Sequence, residues 1–128
     1  WKYVDEEDDP DSIALRQVPT HTLVYEISGP MFFAAADKIL KISVREDTTC
    51  LILRMRSVNA IDATAMHSLE QLYEKYEQKN IQIILSHVNG QPKAVMEKSG
   101  FAAKVGEDNF CAHIDEALER AKQLSSNS

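Results

Sequence analysis

The sequence predicts an α/β fold, and three observations carry that expectation. Two apolar runs, Cys50-Leu51-Ile52-Leu53 and Ile81-Gln82-Ile83-Ile84-Leu85, are nearly continuous, as strands covered on both faces are. Between and after them the apolar spacing changes to three and four residues, the helical period. Strands and helices alternate along the chain, the order that builds a mixed, largely parallel sheet, here of about four to five strands packed with about four helices.

Each element has its own signals. Ile13 to Val18 reads as a strand ended by Pro19. His21 to Ser28 alternates, with Leu23, Tyr25 and Ile27 on one face, and Gly29-Pro30 stops it. The short Pro19-Thr20 turn predicts that these two strands are antiparallel. Met31 to Val44 has helical spacing through Phe32, Ala36, Ile39 and Leu40, with Pro30 suited to a first turn. After the strand Cys50–Met55, a long helix is predicted from Asp62 to about Lys79. It places Met66, Leu69, Leu72, Tyr73 and Tyr76 on one side and Glu70, Glu74, Lys75 and Gln78 on the other, and Asn80 can end it. Ile81 to Ser86 is the next strand. Gly90-Gln91-Pro92 reads as a break before a short helix, Lys93 to Lys98. Gly100 is placed as its left-handed terminator, with Phe101 packing back. Phe110 to Leu124 reads as a last amphipathic helix through Ile114, Ala117, Leu118 and Ala121, and residues 125–128 as a frayed tail.

Length and composition narrow the class. At 128 residues, 44% hydrophobic and 27% charged, the chain suits one globular domain with a real core. No apolar stretch approaches the roughly 18 residues that span a bilayer, and the amino end lacks a signal-peptide pattern. A start at Trp1 rather than Met predicts a piece cut from a longer protein. The net charge of -6 is uneven. Asp5, Glu6, Glu7, Asp8, Asp9 and Asp11 crowd the amino end against Lys2, which leaves 14 acids and 13 bases elsewhere, a body near -1. The acidity therefore reads as a solvated leader. No basic stripe offsets phosphate repulsion, so nucleic acid is excluded as a partner. Cys50 and Cys111 sit in apolar surroundings and read as buried free thiols in a reducing compartment.

Catalytic chemistry finds no foothold. His21, His67, His87 and His113 share no metal-ligand spacing with one another or with the cysteines. There is no Gly-x-Ser-x-Gly elbow, and four scattered glycines make neither a Walker loop nor a dinucleotide fingerprint. Glu6-Glu7 is a carboxylate pair in the leader, where no pocket would perturb it. No set supplies nucleophile, base and oxyanion donors together, which predicts a non-enzyme without cofactor or metal. The one suggestive junction is the turn Asp62-Ala63-Thr64-Ala65, where a strand passes directly into a helix. Such a helix start can hold an anion, a phosphate or a partner's carboxylate. Asp62 is equally suited to plain capping, since Asp satisfies orphan donors without any further role.

Four pieces in this order and spacing carry a resemblance: Tyr25-Glu26-Ile27-Ser28-Gly29-Pro30-Met31-Phe32-Phe33, the strand Cys50–Leu53, Asp62-Ala63-Thr64-Ala65, and Lys98-Ser99-Gly100-Phe101. Together they resemble the STAS domain, the module shared by anti-sigma factor antagonists and SulP-type anion transporters. The resemblance spans residues 11–124, leaving 1–10 as an acidic linker from a preceding membrane domain. The Gly-Pro-Met-Phe-Phe-Ala-Ala-Ala stretch resembles the transporter branch. That implies a cytoplasmic, non-catalytic regulatory domain on the inner face of the membrane, in a protein moving sulfate, bicarbonate or a dicarboxylate. Its implied partners are the membrane domain of the same transporter and cytoplasmic proteins, with guanine nucleotide a weaker third. The alternative is a free-standing anti-sigma antagonist or stress-signalling scaffold. In the antagonists the residue after the Asp accepts phosphate. Here that position is Ala63, without a hydroxyl, and Thr64 is one residue away from it. The implied contact residues are Asp62, Ala63, Thr64 and Ala65.

Overall fold

The computed structural model describes residues 21–28 and 46–126. Along the chain come β1 (Thr22–Ser28), β2 (Cys50–Ser57), α1 (Ala63–Gln78), β3 (Gln82–Ser86), α2 (Gly90–Ser99) and α3 (Phe101–Val105). A 3-10 turn at Glu107–Asn109, the two-residue β4 (Phe110–Cys111) and α4 (Ile114–Ser126) complete the series. The described strands form one sheet in the order β1-β2-β3-β4, each pair parallel.

Order in space thus equals order in the chain. Parallel neighbours need a crossover, crossovers are right-handed, and successive steps in one direction put their helices on the same face. The packing agrees. On one face Leu51, Leu53, Met55, Ile83 and Leu85 meet Met66, Leu69, Leu72 and Tyr76 of α1, Met96 of α2 and Phe101 of α3. On the other, Val24, Cys50, Ile52, Ile84 and Cys111 meet Ile114, Ala117, Leu118 and Ala121 of α4. Side chains alternate between the faces, so a strand covered on both sides must be apolar at every position. Leu51, Ile52 and Leu53 are accordingly all 0% exposed.

The ends of the helices follow their local chemistry. α1 stops in a Schellman arrangement: Asn80 N–H donates to Glu77 C=O at 3.0 Å and Ile81 N–H to Tyr76 C=O at 2.8 Å, with Asn80 left-handed at φ 60°. Gly100, at φ 89°, turns the chain from α2 into α3. Phe101 does pack back. It is buried, with its ring edge-on to Tyr73 at 5.9 Å, and the Tyr73 hydroxyl donates to Lys104 C=O at 2.9 Å.

Three sequence expectations change. Gly90-Gln91-Pro92 is not a break but the first turn of α2, which runs Gly90–Ser99. Pro92 stands at the third helical position, where no intrahelical donor is needed. The last helix begins at Ile114, not Phe110, because Phe110 and Cys111 pair with Leu85 and Ser86 as β4. α3 was not expected at all: five residues are too few to show a period. The expected strand Ile13–Val18, its antiparallel pairing and the expected helix Met31–Val44 lie outside the described residues.

Candidate functional site

The junction around Asp62 lies beyond the carboxyl end of β2, the edge of a parallel sheet at which α/β folds place their ligands. Asp62 has an extended backbone, φ −97° and ψ 174°, and its Oδ1 accepts from Ala65 N–H at 2.8 Å. Its own C=O takes the first intrahelical bond, from Met66 N–H at 2.9 Å. Ala65 is buried against the core, whereas Ala63 and Thr64 are exposed. The four residues named from the sequence are therefore contiguous, but only Ala63 and Thr64 present themselves outward. No acid stands in the first turn of α1, and the Asp62 cap offsets its positive end.

The segment between β2 and Asp62 is fixed from α2, which sequence reasoning missed. The Asn89 side-chain amide donates to Arg56 C=O at 3.2 Å and to Val58 C=O at 2.8 Å. Gln91 makes a two-way bond with Ile61: Oε1 accepts from its N–H at 2.9 Å, and Nε2 donates to its C=O at 3.3 Å. Ile61 itself is buried, so its backbone groups need such partners. Beside this turn lies a mainly apolar groove of about 410 Å³ between α1 and α2, lined by Ala63, Met66, Glu70, Val95 and Lys98 among others.

Two further concavities sit near the carboxyl ends of β3 and β4. One, about 500 Å³, is bordered by His87, Asn89, Lys93, Glu107 and Phe110. There Lys93 Nζ lies 3.6 Å from the centre of the Phe110 ring and 3.7 Å from Glu107 Oε1. The other, about 520 Å³, gathers Glu107, Asp108, Asp115, Glu116 and Glu119 beside Arg120. These acids come from one stretch, residues 107–119, which the 3-10 turn, β4 and the start of α4 fold around a common space.

A charged row crosses the face that α4 packs on. Buried Glu26 of β1 takes Arg56 in a forked pair, Nε to Oε2 and Nη2 to Oε1, both at 3.2 Å. Arg54 Nη1 stands 3.7 Å from the same carboxylate, and Arg54 is only 3% exposed. Arg54 is in register with Glu26 on one side and Ser86 on the other. Forked arginine–carboxylate geometry gives a buried pair its best compensation for lost water. The sequence showed an apolar run with one arginine in it, and gave no hint of its partner.

The thiols are as expected from their surroundings: both are free and buried. Burial pushes Cys50 up to about 12, with Arg120 opposing, and burial likewise raises Cys111. A thiol so placed is a poor nucleophile. His21 lies 3.1 Å from Asp47, and His113 3.3 Å from Asp115 at the start of α4. His67 and His87 are exposed. Among the described residues no group of three or more His, Cys, Asp and Glu could hold a metal, and no helix is long and apolar enough to cross a membrane.

Comparison with known proteins places this geometry. Residues 12–117 match the family model described as the STAS domain. A crystal structure of a sulfate transporter family protein from Wolinella succinogenes is 38% identical, with a TM-score of 0.86 over 93% of this chain and 99% of that one. The STAS domain of a SulP transporter from Vibrio cholerae is 29% identical, with a TM-score of 0.75 over 88% and 89% of the two chains. Sulfate transporter 4.1, chloroplastic, of Arabidopsis thaliana is 26% identical over 121 residues, 83% of this chain and 18% of that protein. The chain spans about a fifth of the length of the curated relatives that it matches. With a parallel sheet of four described strands, helices on both of its faces and the helix start at Asp62 in place, the chain belongs to the STAS domain family, and it is related to the STAS domains of SulP sulfate transporters.

Proposed function

We propose that this chain is the regulatory and interaction domain of a SulP-type secondary anion transporter, lying on the cytoplasmic face of the membrane. The whole protein would carry sulfate or a related anion, and the domain itself performs no catalysis. One observation carries the reading: 38% identity to the Wolinella sulfate transporter family protein over nearly the full length of both chains. The relation of lengths supports it, since a domain spanning a fifth of its curated relatives is what a module within a transporter would be. The helix start at Asp62 supports a contact role, because Ala63 borders an apolar groove and its neighbour Thr64 is exposed at the positive helix end. Ala63 has no hydroxyl, so an anti-sigma-type kinase is expected to leave residue 63 unmodified.

Two experiments test this. At the genomic locus, apolar spans of roughly 20 residues each are expected immediately upstream of Trp1. An initiator codon directly before Trp1 would overturn the transporter reading. In the intact transporter, Thr64→Glu is expected to alter sulfate uptake at equal protein levels while leaving the domain folded, since a first-turn carboxylate suits the helix dipole. Uptake equal to wild type would reduce the turn to a cap.

A further inference from the structure

We propose that Gln91 is the positioning residue of the Asp62–Ala65 turn: its side-chain amide, from the first turn of α2, sets where the contact surface at the start of α1 lies. The functional importance of that surface rests on the reading above; the positioning itself does not. Ile61 is the residue before the cap, it is buried, and both of its backbone polar groups go to Gln91. The next bond along the chain is the cap itself, Asp62 Oδ1 to Ala65 N–H. Asn89 holds the same segment upstream of Ile61, at Arg56 C=O and Val58 C=O. The loop is thereby written onto α2, and its distance from the groove wall at Val95 and Lys98 is set by residues of that same helix.

The chemistry demands an amide. Ile61 offers one donor and one acceptor, and only a group with both can answer them together. An ionised glutamate accepts but cannot donate, and it would face the Ile61 carbonyl with like charge. A protonated glutamate carries a hydroxyl donor beside a carbonyl acceptor, and so reproduces the amide. Helix electrostatics points the opposite way. Position 91 is the second residue of α2, where a carboxylate is ordinarily favourable. Gln91→Glu therefore separates the two effects by sign.

The test is amide hydrogen exchange, read by NMR on Ile61 and Ala65 of the 128-residue domain. Near neutral pH, Gln91→Glu is expected to speed exchange at both amides at least tenfold beyond wild type, after correction for intrinsic rates. Protonation of the new carboxyl, below its usual value of about 4.3, is expected to bring both amides back to the wild-type rate at the same pH. Gln91→Leu should lose protection at both pH values with no recovery. Unchanged protection in both variants would overturn the proposal. So would a change at Ile61 with none at Ala65, which would leave Gln91 tying down its own contact without placing the turn. Loss of the fold in both variants at either pH would also overturn it, because the role would then be structural. If Thr64→Glu proves silent in transport while Ala65 still follows the titration at position 91, the contact reading falls and the positioning stands.

Discussion

At the scale of single residues the turn at Asp62 is stabilised by a bond that any sequence reader can anticipate. Cap and capped amide are three positions apart, and Asp is among the residues best suited to the task. Asp62→Ala is expected to cost about 1 kcal/mol, checked by urea unfolding with an unchanged slope. Gly100 was legible for the same reason, since a left-handed helix end is a local demand. A Cβ added there would meet nothing within 4 Å, so the strain of Gly100→Ala is in the backbone alone, about 1–2 kcal/mol. The bonds of Gln91 and Asn89, and those of Glu26 with Arg54 and Arg56, were not legible, because each joins residues some thirty positions apart. Cys50 gives a pH prediction whose sign follows from burial. The folded state keeps the thiol protonated up to about 12, while the unfolded chain releases the proton from about 9. Below that lower value the contribution is intact, and stability falls as the pH rises between the two, because there the folded state binds more protons. Melting curves across this range should decline more steeply for wild type than for Cys50→Ala.

At the scale of elements, legibility tracked length and period. α1, with sixteen residues and a clear stripe, was read from cap to end, and the buried strands β2 and β3 announced themselves by apolar runs. Short elements escaped: β4 has two residues, and α3 has five. The α2–α3 corner shows what a short element can nevertheless contribute. Ser99 Oγ donates to Met96 C=O at 3.1 Å and accepts from Phe101 N–H at 3.3 Å, which brings the Phe101 ring onto Tyr73 of α1. Phe101→Ala empties a fully covered site and is expected to cost roughly 3–5 kcal/mol, measurable by chemical denaturation. A loss below 1 kcal/mol would mean that the corner collapses to fill the space.

At the scale of the whole molecule, the α/β class and the parallel sheet were legible because alternation of strand and helix leaves few topologies open. The face that each helix covers was not stated by the sequence, but it follows once the strand order is known. The family was legible from four short segments in a fixed order, and the match to residues 12–117 covers most of the same stretch. What the sequence concealed was the collective electrostatics: a charged row under α4, assembled from the separate strands β1 and β2. The sheet has one more consequence, for synthesis. Its described strands lie side by side in the order in which a ribosome makes them. None of the described strands has to be threaded between two made before it, so a nascent chain can add each of them to an edge that already exists. Of the described elements, β4 with α4 is made last, so Val24, Cys50, Ile52 and Ile84 leave the ribosome well before the described helix that packs on them.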